Sequence, residues 1–172
     1  MQFFGKNEPC VEDFLKRKVR KQLKMKENEV IRNIERYFQK KGFELHRSWI
    51  LDKRGEIRRV TRGAGVDLIA KRSEELWLVE AKGERKRKAG YSVAINVAFG
   101  QLMSRIKIFD HDEKIHYAIS LPFPLGHFEA PLKRFADSQA LSILKIHLFL
   151  IHENGEVKHK NPNQFIDFLQ QL

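Results

Sequence analysis

Residues 65–84 read GVDLIAKRSEELWLVEAKGE, two short apolar runs on either side of a charged segment. VDLIA (66–70) and LWLVEA (76–81) are rich in branched and aromatic residues, and KRSEE (71–75) between them reads as a turn, so the stretch predicts a pair of central strands. Alternate residues of a strand face opposite sides, which puts Glu80 and Lys82 on one face and Ala81 on the other. Pairing of the two strands brings Asp67 to the same place. Two acids therefore sit where the backbone reads as most buried, in a chain that is otherwise strongly basic.

The 172 residues suit one domain with a real core, and 42% hydrophobic residues with 13 Phe mark a globular rather than a disordered composition. Thirty-three Lys and Arg against 22 Asp and Glu leave a net charge of +11, which points to a polyanionic partner, nucleic acid before membrane. Cys10 is the single cysteine, which excludes an internal disulfide framework and a cysteine zinc site and suits a reducing compartment. No apolar run reaches the roughly 20 residues that span a bilayer, and the first residues lack a signal-peptide pattern. The expected compartment is the cytoplasm, with no membrane partner.

Outward from the central pair, the period changes. PCVEDFLKRKVRKQLKMK (9–26) spaces Val11, Leu15, Val19 and Leu23 four apart behind Pro9 and predicts a basic amphipathic helix, an N-terminal extension of the domain. Val30, Ile31, Ile34, Tyr37 and Phe38 predict a second helix, separate from or continuous with the first, ending at Gly42. FELHRSWIL (43–51) and IRRVT (57–61) read as strands around the turn DKRGE, and YSVAINVAFGQLMSRIKIF (91–109) as a crossover helix with Ala94, Val97, Ala98, Leu102, Ile106 and Phe109 on one face. KIHYAISLP (114–122) and LSILKIHLFLI (141–151) are strand candidates separated by a Pro-containing loop and the short helical pattern EAPLKRFADS (129–138). EVKH (156–159) predicts a terminal hairpin strand. NPNQFIDFLQQL (161–172) predicts a last helix with Asn161 as cap and Pro162 at its first position. This order of elements gives an α/β (α+β) fold, a mixed central β-sheet flanked by helices.

Glu-x-Lys occurs three times, at Glu80 with Lys82, Glu84 with Lys86 and Glu156 with Lys158. Only the first ends a strongly apolar strand with an Asp on the strand before it. Two carboxylates about 4 Å apart repel by roughly 4 kcal/mol at an effective dielectric of 20, and a divalent cation resolves that conflict. Oxygen ligands from Asp67, Glu80 and the Ala81 carbonyl are the set a hard ion such as Mg2+ accepts, with Mn2+ as its substitute. Lys82 beside the ion can hold or deprotonate an attacking water, or neutralise charge on a phosphate.

GVDLIA followed by LVEAKGE resembles the core of the PD-(D/E)xK nuclease superfamily, the restriction-endonuclease-like fold, with Val66 in place of the namesake proline. The resemblance covers residues 27–121. It implies that Asp67 and Glu80 are metal ligands, that Lys82 is the catalytic lysine, and that the activity is metal-dependent hydrolysis of DNA phosphodiester bonds. FGQLMSRI resembles the helix after the catalytic strand in several branches, which makes Gln101 a candidate to orient the lysine or the water. Many branches also carry a Glu on the first helix that reaches the metal. Glu27 shares the face of Val30, Ile34 and Phe38, whereas Glu35 lies roughly 100° away, so Glu27 is preferred. A two-fold dimer is the arrangement such enzymes use to cut both strands, and the N-terminal helix is a candidate interface.

Arg85, Lys86, Arg87 and Lys88 leave the catalytic strand directly and are the expected nucleic-acid contacts, of the sequence-independent and salt-sensitive kind. KRKVRKQLKMK and DKRGEIRR add further basic stripes. DNA is the expected partner, and RNA is a second candidate. A binding module with this fold and no chemistry is the alternative. His111, His116, His127, His147, His152 and His159 form no close ligand spacing, and no phosphate loop or serine-hydrolase elbow occurs.

Overall fold

The computed structural model describes residues 25–47, 49–51, 57–59, 65–106 and 114–172. The predicted helix over 9–26 lies outside them apart from Met25 and Lys26, as do Cys10, His111 and Phe109. Lys26 is extended (φ −73°, ψ 156°), and its amide donates to Oε2 of Glu29 at 2.6 Å. Helix α1 (Glu27–Lys40) therefore begins there. It ends at Gly42, whose φ of +78° only glycine adopts without strain. The Gly42 amide returns to Gln39 O at 3.0 Å, the Phe43 amide returns to Phe38 O at 3.1 Å, and the two rings meet with centroids 5.1 Å apart. This is a Schellman stop with its apolar clasp.

β1 (Glu44–His46), β4 (Leu68–Arg72), β5 (Glu75–Ala81), β6 (Lys114–Phe123), β7 (His147–His152) and β8 (Val157–Lys160) form one six-stranded sheet in the order β1-β4-β5-β6-β7-β8. β5, β6 and β7 run parallel, and the other neighbours pair antiparallel, so the sheet is mixed as expected. β2 (Trp49–Leu51) and β3 (Ile57–Arg59) make a separate two-stranded sheet, so FELHRSWIL divides between two sheets. The parallel pairs require crossovers. Helix α2 (Ala89–Met103) joins β5 to β6, and a 3-10 turn (Gly126–Phe128), α3 (Glu129–Lys133) and α4 (Gln139–Leu144) join β6 to β7. Helix α5 (Pro162–Gln171) closes the chain behind a reciprocal cap. Asn161 Oδ1 accepts from the Gln164 amide and Gln164 Oε1 accepts from the Asn161 amide, both at 3.0 Å.

The predicted strand over 141–151 begins later than the sequence reading places it. Leu141–Leu144 belong to α4 and not to the following strand, and the chain reverses through Lys145 in the left-handed region (φ +49°) before β7 starts at His147. A four-residue apolar run fits a helical turn and a strand equally well, and Gln139, Ala140 and Leu141 are good helix formers.

The strand alternation divides the core into two layers. Leu76 and Leu78 of β5 and Ile69 of β4 face α2 and α5, with Tyr91, Ile95, Leu102 and Phe165. Trp77, Val79 and Ala81 face α1, with Val30, Ile34 and Phe38. No helix among the described residues is long and apolar enough to cross a membrane.

On the α1 face, Trp77, His116, His147 and His159 line up across four strands. Trp77 stacks on His116 (4.4 Å between centroids), and His147 Nδ1 hydrogen-bonds His159 Nε2 at 2.9 Å. Burial foremost, then the neighbouring His159 and His116, push the His147 imidazole down to about 3. Burial, then Lys41 and His116, push His159 down to about 4. Both rings are neutral at pH 7, and below about pH 6.5 the unfolded chain takes up protons first, so this cluster favours folding less as pH falls towards 4. Imidazole proton NMR between pH 4 and 8 should show neither His147 nor His159 titrating above pH 5, and a midpoint near 6.5 for either would contradict this packing.

Candidate active site

Asp67 stands one residue before β4, and the hairpin register pairs Leu68 with Val79, so Asp67 and Glu80 come side by side at the carboxyl end of β5. Both lie on the α2 face. Asp67 Oδ2 accepts from the Ala81 amide at 2.8 Å, which ties the acid to the strand and turns that edge of Ala81, carbonyl included, towards β4. Lys82 follows two residues after Glu80 on the same face, and its amide continues the ladder to Ser120 O at 3.0 Å. Its Nζ lies 3.3 Å from Glu80 Oε2 and 3.5 Å from Asp67 Oδ2. One cationic atom thus reaches both carboxylates.

Glu80 has no solvent exposure and Lys82 only 5%. Neither acid is balanced by Lys82 alone. Arg105, in the turn that ends α2, donates through one guanidinium nitrogen to Glu80 Oε1 and through the other to Gly65 O at 2.9 Å. Two acids and two bases make a quartet in which Glu80 and Lys82 are buried and Asp67 and Arg105 partly exposed. Burial is still the strongest influence on Glu80: together with repulsion from Asp67 it outweighs the attraction of Lys82 and Arg105 and pushes the carboxyl up to about 7.

The other two Glu-x-Lys motifs lie elsewhere. Glu84 is bound by the Tyr91 hydroxyl, which also lies 3.0 Å from Arg85 O, and Glu156 and Lys158 are exposed at the β8 edge. Glu27, at the first position of α1, is engaged by Arg85 at 2.7 Å, and the structure does not bring it to the Asp67–Glu80 pair. Among the described residues, no cluster of three or more His, Cys, Asp or Glu converges as a ligand set. The oxygen-only donors Asp67, Glu80 and the Ala81 carbonyl nevertheless suit a hard divalent ion, since the Lys82 ammonium already marks a position that both acids reach. Gln101, four residues before Arg105 and so on the same face of α2, has its Oε1 buried with no hydrogen-bond partner. Lys86, Arg87 and Lys88 are exposed and Arg85 is half-buried.

Gly83 positions this edge against α1. A Cβ there would lie 2.1 Å from the Glu27 amide nitrogen, while the Glu84 amide donates to Met25 O at 2.9 Å. Only a bare α-carbon allows the start of α1 to dock directly behind Lys82.

Arg105 and the Glu27–Arg85 pair were not foreseen from the sequence. The one signal for Arg105 is a cation four residues after Gln101, at the end of a crossover helix that must pack over the β5 face. No family model matches the chain, and neither a curated protein nor a solved structure does.

Two consequences can be measured. Gly83→Ala should lower the unfolding free energy by about 2 to 3 kcal/mol in urea titrations, because the added methyl meets backbone rather than a flexible side chain. Glu80 has a folded pKa raised from 4.5 to about 7, so its ionisation costs stability as pH rises through 7 and costs nothing below 4.5. Glu80→Gln should therefore stabilise the protein at pH 8 by about 1 to 3 kcal/mol and leave it nearly unchanged at pH 4.5. A destabilised variant at pH 8 would mean that Lys82 and Arg105 outweigh the burial.

Proposed function

We propose that the chain is a divalent-metal-dependent nuclease of the PD-(D/E)xK type that hydrolyses DNA phosphodiester bonds. The observation that carries this reading is the position of Lys82 Nζ, within 3.5 Å of both Asp67 and Glu80 on one buried strand end. Asp67, Glu80 and the Ala81 carbonyl would hold the ion, Mg2+ or Mn2+ in its place. When bound, it supplies Lewis acidity and makes a water more acidic.

The chain's own residues do the rest. Asp67 is held by the Ala81 amide, so its remaining oxygen is aimed without loss of side-chain freedom at the moment of binding. Lys82, almost wholly shielded from solvent, orients the attacking water and neutralises charge that builds on the phosphate as the ester bond to the leaving oxygen breaks. The unpartnered Oε1 of Gln101 offers an acceptor for Lys82 or for that water.

The flanking charge supports a polyanionic substrate. Lys86, Arg87 and Lys88 stand exposed immediately before the first turn of α2, where cations oppose the helix dipole. A phosphate placed there answers both the charge of the loop and the positive end of the helix dipole. The internal balance of the two acids by Lys82 and Arg105 supports a second reading, a nucleic-acid-binding module of the same fold without chemistry.

In a panel of duplex, single-stranded, flap and four-way-junction DNA, with RNA alongside, at least one DNA form should be cut or nicked with Mg2+ or Mn2+ and left intact with EDTA, and cleavage of RNA alone would overturn DNA as the substrate. Lys82→Ala should lower the cleavage rate at least ~100-fold and change DNA affinity less than about threefold. Robust cleavage by that variant would remove the role given to Lys82. DNA binding with no cleavage under any metal, and no uptake of Mn2+ that Asp67→Asn abolishes, would favour the binding module.

A further inference from the structure

Arg105 is the member of the quartet that neither the strand hairpin nor the Glu-x-Lys motif supplies. Its amide donates to Leu102 O at 2.9 Å, so it sits in a fixed helical turn at the end of α2, and Tyr117 donates to its carbonyl at 3.5 Å. Its side chain is 14% exposed. The guanidinium spans from Gly65 O, two residues before Asp67, to Oε1 of Glu80, while Lys82 takes Oε2. Each oxygen of Glu80 therefore already faces a cation, and an ion drawn to this acid meets a positive charge on whichever oxygen it approaches.

We propose that Arg105 is a positioning residue that acts as a stand-in cation, holding Glu80 in place beside Asp67 in the metal-free protein and yielding Oε1 to the divalent ion when it binds. The inference rests on the metal-dependent reading above. Its physical basis is the mutual repulsion of Asp67 and Glu80, which would push apart two acids fixed at neighbouring strand ends if no charge separated them. A guanidinium suits the task because its fork grips two acceptors at once and its charge cannot be lost by deprotonation. The bond to Gly65 O survives when Glu80 is released. The displaced group then stays tethered at the mouth of the site instead of leaving it.

The cost of this arrangement is competition, since the seated guanidinium repels an incoming ion and must be moved. Titration calorimetry of Mn2+ into the full chain at pH 8 tests it. Arg105→Gln should bind Mn2+ about tenfold or more tightly than wild type, and Arg105→Lys should fall near wild type, because it keeps the charge. Equal or weaker binding by Arg105→Gln would overturn the stand-in role and leave the nuclease reading intact. No Mn2+ binding by wild type or variants would overturn both, and DNA cleavage by wild type with Mg2+ checks the nuclease reading separately. The wild-type protein provides a test that does not depend on folding of the variant: the Arg105 Nε–Hε NMR resonance should shift or exchange faster on addition of Mg2+, and a resonance unchanged at saturating Mg2+ would overturn the proposal.

Discussion

Glu80 is a carboxylate with no contact with solvent, at the end of the central strand of the sheet. Removing a charge from water costs several kcal/mol per ion unless partners replace the lost solvation, and those partners must come from within about 4 Å. Each partner of Glu80 belongs to a different segment. Lys82 belongs to its own strand and Arg105 to the end of the crossover helix, while Asp67, on the approach of the neighbouring strand, repels Glu80. The hairpin register, the length of α2 and the path of the chain through Gly65 are therefore tied to one side chain. The raised pKa shows that even this set does not fully repay the burial. Stability and charge arrangement conflict here, since burial and Asp67 oppose the ionisation that Lys82 and Arg105 favour.

The same strand serves both layers. Trp77, Val79 and Ala81 anchor α1 through Ile34 and Phe38, and Leu76 and Leu78 anchor α2 on the opposite side. α1 then returns to the site from behind. Its first residues press on Gly83, its Glu27 grips Arg85, and the chain just before it accepts from the Glu84 amide. From the α2 side, Tyr91 holds Glu84 and the Arg85 carbonyl. The segment after Lys82 is thus clamped from both layers up to Arg85, and only beyond it do Lys86, Arg87 and Lys88 turn outward. The basic loop has a rigid stem and an exposed tip.

What the sequence made legible was local. The hairpin of β4 and β5, the stop at Gly42 and the cap at Asn161 each depend on residues within a few positions of one another, and each is observed. The choice of Glu80 with Lys82 among three similar motifs was also local, since it needed only strand context. Arg105 lies 25 residues from Glu80, and a lone Arg at a helix end reads as solvated charge until the crossover geometry is known. Glu27 and Arg85 are separated by 58 residues, so helical phase could put Glu27 on the buried side of α1 but could not say which charge would meet it. His116, His147 and His159 likewise meet only because β6, β7 and β8 are adjacent in the sheet. LSILK was misread for the opposite reason. The local pattern was ambiguous, and the left-handed turn at Lys145 settled it.

The distribution of charge has one more consequence. The chain carries +11, yet the quartet of Asp67, Glu80, Lys82 and Arg105 sums to zero when all four are ionised. A polyanion approaching this edge is therefore not attracted by the quartet itself. The attraction comes from the loop, where Arg85 pairs with Glu27 and Lys86, Arg87 and Lys88 are exposed. Such exposed charges act over about 10 Å at 0.1 M salt and are screened beyond that. The charge of this edge is thereby divided between an exposed, salt-sensitive tip and a largely shielded quartet whose two acids and two bases offset one another when ionised. Because burial pushes the Glu80 carboxyl up to about 7, the quartet becomes net positive as pH falls below that value.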